Sequence, residues 1–495
     1  MEPWNALIDT ALLGTSRRPL SPEALPPALR TALAMAPQAT AEESFLQAAA
    51  LLYNYRQCGL LPLRDPEAQL APANPEELPY IGDAARKLLH AVLETGSAAL
   101  LHLFLDRCSA AGQIVGPDVI PVLLDAALKD RSLRPPVFAC CGARGAWLRS
   151  LNPEWKKMGE PVEEEDPWET GSLDQRREWL RNLRATDPAA ARTHLQAAWP
   201  QENAAARAAL LSALAINIGD DDLPWLTGLA GDKSVKVRDE VLALLKLVSG
   251  SELVQRYRAV LSRSVQIQVS RGVLGIGGKT TVSLQLTGME EELYKTGIES
   301  LSGTRDTSDE QFVLYQLAAS VPPSFWAEQL ERPAEEAIAL LAKEKATAFL
   351  LPAIATAALR FRDADWLRPV LAQDQKSLYS DAWLLLPQPE AEHYSTPRMK
   401  GPPGAELLQA ALAHSRQEWG LPFATAVLRT LSADPYNYGK PFYSGLLPFL
   451  PAAAAPVLQA LRQDTARHPY SAGAQQEYLL HLLGLKEQIQ QHFNA

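Results

Sequence analysis

A chain of 495 residues exceeds what one compact core organises, and points to two to four units or one extended array. Hydrophobic residues make up 47% of it and charged residues 21%, with long Ala- and Leu-rich runs, which excludes extensive disorder and favours a mainly helical protein. A formal net charge of −10 argues against a general nucleic-acid binder, which needs surplus Lys and Arg to displace counterions from phosphates.

The N-terminus, Met1-Glu-Pro-Trp-Asn-Ala-Leu-Ile, lacks a basic segment ahead of an apolar run, so no secretory signal is expected, and no apolar stretch approaches a membrane span. A cytoplasmic location follows as an expectation. From Trp4 to Leu151, helical runs such as Ser44–Tyr55, Ala84–Leu93 and Pro121–Leu128 alternate with Pro-rich breaks. Gly142 and Gly145 read as the ends of a turn. The segment 152–172, with Glu163, Glu164, Glu165 and Asp166 in succession, reads as a solvated acidic connector.

Helices then become regular: Asp174–Ala185, Ala189–Trp199, Asn203–Ile216, Leu223–Ala230 and Val235–Val248 each carry an apolar stripe, and Asp187-Pro188 is a helix-start signal. Two stretches 31 residues apart share one pattern. Arg207 with Leu210, Leu211 and Leu214 recurs as Arg238 with Val241, Leu242 and Leu245, and Leu195 recurs as Leu226. Such periodicity predicts stacked helical hairpins, α-solenoid-like, with Leu211, Leu214, Leu242 and Leu245 facing a shared core. Arg207 and Arg238 are expected to bridge helix pairs to acids such as Asp232 or Asp239.

From Val265 to Leu286 the period changes to two, with Val265, Ile267, Val269, Val282, Leu284 and Leu286 alternating with polar residues around a glycine-rich turn. This predicts one inserted β-hairpin. Within it, Gly272 to Thr280 superficially suggests a phosphate loop, but Val273 stands where the first glycine belongs and a strand follows Lys279, so no nucleotide is expected. Helices resume near Asp309, broken by Pro387–Gly404 and by the aromatic loop Asp434–Gly445.

Candidate chemistry is sparse. Four cysteines (Cys58, Cys108, Cys140, Cys141) match no zinc spacing, and the histidines form no ligand pair, so no metal and no cofactor are expected. No Gly-x-Ser-x-Gly elbow marks a hydrolase. Arg177, Arg181 and Arg184 follow helical spacing and predict a basic strip that docks an acidic partner, or else a solvated face neutralised by Glu163–Asp166. Tyr436, Tyr438, Phe442 and Tyr443 crowd one loop, where aromatics either anchor a partner or pin the loop to the core.

Three segments, Trp4 to Thr15, Gly142 to Trp155 and Asp232 to Asp239, resemble a bacterial family of unknown function, and Asp363-Ala-Asp-Trp366 resembles its later helices. The resemblance covers the first half of the chain and implies genomic neighbours: SWIM zinc-finger proteins, MoxR-type AAA+ ATPases and von Willebrand factor A proteins. It carries over no catalytic residue. Asp232–Asp239 also resembles the inner turn of a HEAT repeat.

The resulting expectation is an all-α protein: a helical unit over 1–151, the connector 152–172, a HEAT-like block over 173–262, the hairpin and a linker over 263–308, and a helical unit over 309–495. The leading functional expectation is a non-enzymatic scaffold or adaptor for protein partners. A hydrolase-like enzyme with a site between helical units and a nucleic-acid-binding solenoid are the alternatives.

Overall fold

A computed structural model of the chain describes residues 2–35, 40–58, 70–159, 166–270, 279–433, 438–465 and 472–494. Among the described residues the fold is all-α with one small two-stranded sheet. It divides into two compact units, Met1–Ala73 and Asn74–Ala495. Among the described residues, no helix is long and apolar enough to cross a membrane.

In the first unit, the helices Glu2–Leu13, Pro27–Ala34 and Ala41–Cys58 enclose a small core of Leu7, Leu25, Leu29, Ala48 and Leu52. Trp4 packs against this core while the Arg56 guanidinium lies 4.9 Å from the centre of its ring.

The second unit opens with Asp83–Thr95, Ala98–Ala110 and Ile120–Lys129, amphipathic helices whose apolar stripes meet in the largest core. The expected turn at Gly142 and Gly145 is instead the start of a helix, Gly142–Leu151. Gly142 takes φ +58°, and the distant Glu76 carboxylate accepts hydrogen bonds from the Ala143 and Arg144 amides at 2.7 and 2.8 Å. A carboxylate satisfying the free amides of a helix N-terminus leaves no sequence-local cap to read.

Leu173–Thr186 begins with a capping box, Ser172 and Gln175 each satisfying the other's backbone amide. Asp187 caps Pro188–Ala198 through the Ala190 amide at 2.9 Å, and Asn203 caps Ala204–Leu211. Leu173–Thr186 packs on Pro188–Ala198 and on Ala204–Leu211, which in turn packs on Val235–Leu245. A separate core forms there, containing Leu180, Leu195, Leu210, Leu211, Leu214, Leu226, Val241 and Leu244.

Of the four leucines expected to face that core, Leu211 and Leu214 are buried, whereas Leu242 and Leu245 are only half-buried. Val237, Val241 and Leu244 form the inward stripe of the later helix. The helix Ala204–Leu211 lies between two neighbours and buries both flanks; the main contacts of Val235–Leu245 lie with Ala204–Leu211 and Leu223–Leu229.

The expected hairpin is present as β1 (Val265–Ser270) and β2 (Lys279–Leu284), antiparallel, with Val265 opposite Leu284 and Ile267 opposite Val282. The glycine-rich residues 271–278 lie outside the described residues. Lys279 opens a strand, not a helix. Val282 is buried in the main core, with Val265, Leu284 and Leu286 packed against it.

The Pro/Gly stretch 387–404 starts helices rather than separating them. Pro387 and Pro389 flank the start of Gln388–Ser395, and Gly401-Pro-Pro-Gly404 is the first turn of Gly401–His414. Proline is tolerated in a first turn, where its missing N–H would have no intrahelical partner. The final helix, Ala472–Asn494, returns to pack on Asp83–Thr95 and Ala98–Ala110, with Phe493 edge-on to Phe104 at 5.3 Å.

Candidate partner-binding surfaces

Helix Leu173–Thr186 carries the arginines expected to form a basic strip, and it separates them. Arg177 and Arg181 face solvent and pair with acids of their own helix, Arg177 with Asp174 at 3.1 Å and Arg181 with Glu178 at 3.6 Å. Each acid stands three residues before its arginine, the spacing that places side chains on neighbouring turns. These acids neutralise the face. Glu163, Glu164 and Glu165 lie outside the described residues, and Asp166 is engaged with the Trp168 amide at 3.0 Å.

Arg184 corrects the expectation: it is fully buried and unavailable to a partner. Its Nε donates to the Ile216 carbonyl at 2.7 Å, Nη1 to Pro188 at 2.7 Å, and Nη2 to Asn217 at 3.2 Å and to the Asp222 carboxylate. Asp222, itself buried, also receives Arg192 at 2.7 Å and the Gly219 amide at 3.1 Å. A buried charge survives only when paired and hydrogen-bonded, and this network does both. It fixes the turn Ile216–Asp222 to the helices Leu173–Thr186 and Pro188–Ala198.

The sequence pattern overlooked Arg176. Its guanidinium lies 4.7 Å from the Trp168 ring and pairs with Glu202 at 2.6 Å. Arg207 repeats this, 5.3 Å from the Trp199 ring and 4.0 Å from Asp232. In both, the tryptophan stands eight positions before the arginine, a signal present in the sequence but hidden because Arg238 has Ala230 at that place. Arg238 instead donates to the carbonyls of Asp232 and Lys233 at 2.6 and 3.2 Å. The expected bridging to Asp232 is therefore made by Arg207.

Of the clustered aromatics, Tyr436 lies outside the described residues. Tyr438 stacks on Phe442 at 4.4 Å, and Phe442 meets Tyr443 edge-on at 6.0 Å. Tyr443 is buried, while Tyr438 and Phe442 pack against the main core, and Lys440–Leu446 is helical rather than a loop. Among the described aromatics of this cluster, Tyr443 is withdrawn by burial, and Tyr438 and Phe442 keep surface to offer.

The titratable groups of one cleft are occupied by each other and by backbone carbonyls. His102 places Nδ1 3.1 Å from Asp106 and Nε2 3.2 Å from the Ser132 carbonyl. In the same cleft, Lys486 spends its ammonium on the Leu447 and Leu450 carbonyls at 2.9 and 2.8 Å and on Glu418 at 2.8 Å. Burial pulls this ammonium below its ordinary value and Glu418 partly restores it. Burial pushes the Cys141 thiol up to about 12, and Cys140 is held higher by its hydrogen bond with Cys108, which disfavours the thiolate a nucleophile needs. Among the described residues, no group of His, Cys, Asp or Glu has a metal-binding arrangement.

One family model matches residues 6–493, nearly the whole chain and well beyond the first half over which the resemblance is strongest; it is described as a family of unknown function (DUF5691). No curated protein and no solved structure matches the chain.

Proposed function

The chain belongs to that family of unknown function, and we propose that it is a non-enzymatic adaptor presenting a HEAT-like helical surface to protein partners in a MoxR-type AAA+ ATPase and von Willebrand factor A system. The observation that carries the reading is the recurrent tryptophan–arginine–acid unit. Arg176 with Trp168 and Glu202, and Arg207 with Trp199 and Asp232, tie successive helices together in one register. Repetition of this kind produces an extended surface, whose curvature and side chains select partners. The solvent-facing Arg177 and Arg181 and the half-buried Tyr438–Phe442 stack are the side chains such a surface offers. Because Asp174 and Glu178 neutralise the arginines, a protein is favoured over a phosphate backbone.

The test uses the purified full chain with a MoxR-type AAA+ ATPase and a von Willebrand factor A protein from the same genome. Size-exclusion chromatography with light scattering should give a complex of defined mass with one or both at roughly 10 μM. Absence of any complex with either protein rejects this partner assignment, and tight binding of random duplex DNA in its place rejects the adaptor reading.

A further inference from the structure

A cleft of about 340 Å³ opens between the turn Asn217–Asp220 and the turn Arg360–Asp363, with Val248 and Pro322 on its walls. Arg360, the last residue of helix Leu350–Arg360, is half-buried and lines this cleft. It donates from Nη1 to the Ser320 hydroxyl at 2.9 Å and makes no ion pair among the described residues. The half-buried Lys246 adds a second positive charge nearby. Burial holds the guanidinium below its ordinary value, and burial together with the Arg360 charge does the same to Lys246. A half-buried guanidinium without an ion pair gains from an arriving anion a charge partner that the protein does not supply.

The backbone around the cleft is also unusual. Asn217 and Arg362 adopt φ +50° and +55°, a region that favours glycine, and Arg362 Nη1 donates to Asn217 Oδ1 at 2.9 Å. Arg362 closes the helix as glycine commonly does, its amide bonded to Leu359 and that of Asp363 to Ala358. An arginine kept in a left-handed helix cap is strained, and such strain gathers at binding sites. Here it sets a second guanidinium at the mouth of the cleft.

We propose that this cleft binds a carboxylate group, with Arg360 as its principal contact and Arg362 at the rim. A planar two-oxygen anion matches the fork of a guanidinium. The aspartates Asp220 and Asp363 share the lining, so a singly charged carboxylate meets less repulsion than a phosphate dianion. Pro322, Pro323 and Phe361 give the body of the ligand an apolar wall.

Isothermal titration of the full chain with N-acetylalanine, its uncharged amide and inorganic phosphate tests the assignment. The carboxylate should bind, the amide should not, and phosphate should bind more weakly. Arg360→Gln should weaken the carboxylate at least roughly tenfold, while Arg256→Gln, at an exposed arginine paired with Glu290, should leave it unchanged. A measurement on the wild type covers the case in which Arg360→Gln misfolds: saturating N-acetylalanine should slow phenylglyoxal modification at Arg360 and not at Arg256. No heat of binding, equal binding by the amide, tighter binding of phosphate, or no protection of Arg360 overturns the proposal.

Discussion

Arg176 and Arg207 stand 31 residues apart and hold one posture, each beside the indole ring eight positions earlier and each reaching an acid in the loop that follows the next α-helix. The two copies differ in tightness. The Arg176–Glu202 pair is the more buried and closer, at 2.6 Å against 4.0 Å for Arg207–Asp232. A double-mutant cycle on Arg207 and Trp199 should give a coupling of about 0.5–1 kcal/mol from the cation–ring contact. The corresponding cycle on Arg176 and Glu202 should exceed it, because that pair is screened less by solvent. Equal, near-zero couplings in denaturant titrations would show that the recurrence is geometric only.

Arg184→Ala should destabilise the second unit by about 3–5 kcal/mol, since it strips a buried carboxylate of its principal partner and orphans three carbonyls. Arg181→Ala, on the same helix, should stay within about 0.5 kcal/mol. Urea unfolding followed by circular dichroism separates the two. Comparable midpoints for both variants would refute the structural role assigned to Arg184.

That contrast also shows what the sequence discloses. Helical spacing predicts a helix over Asp174–Ala185, observed as Leu173–Thr186, and places Arg177, Arg181 and Arg184 on one face of it, yet Arg184 stands four residues after Leu180, on the buried stripe. An arginine on an apolar stripe signals an internal partner, and that partner, Asp222, lies 38 residues away where no local rule reaches. The hairpin was legible because strand alternation is local, and so was the cap at Asp187. Glu76 capping the helix at Gly142, Phe493 closing on Phe104, and the cleft at Arg360 were not, since each joins segments separated by long stretches of chain.

Leu211→Ala should cost about 2–5 kcal/mol, the sum of lost transfer energy and the cavity left between two flanking helices. Leu242→Ala should cost well under half of that, because the side chain is already half in water. Thermal melting of the two variants decides. A Leu242→Ala variant as unstable as Leu211→Ala would restore the symmetric core expected from the repeat alone.

Asp374 gives a pH-dependent contribution. Burial raises its pKa, but hydrogen bonds outweigh this: from Ser377, from the Tyr379 hydroxyl at 2.5 Å and from the Lys376 amide at 3.0 Å, leaving the carboxyl below its unfolded value of 3.8. A folded-state pKa below the unfolded one stabilises the protein above the unfolded pKa, and that stability is lost as pH falls through the folded value. Tyr379→Phe should therefore lower the melting temperature at pH 6 and narrow its gap from wild type as the pH drops below 3.8. A gap independent of pH would place the effect of Tyr379 in packing alone.

The exposed arginines bear on recognition. Arg177 and Arg181 remain accessible, with side chains 43% and 47% exposed, despite pairing with Asp174 and Glu178. Exposed pairs contribute about 0–1 kcal/mol, so reversing both charges should scarcely alter folding. Charges at the rim of an interface act through the encounter, and reversal should slow association with an acidic partner while leaving dissociation almost unchanged. The acids set the size of the effect: Asp174→Asn with Glu178→Gln should speed association, most at low ionic strength, where the Debye length is longest. Stopped-flow association of the four-charge variant set at low and high salt tests both directions together. Rates indifferent to all four charges would move docking away from this helix, toward the Tyr438–Phe442 stack.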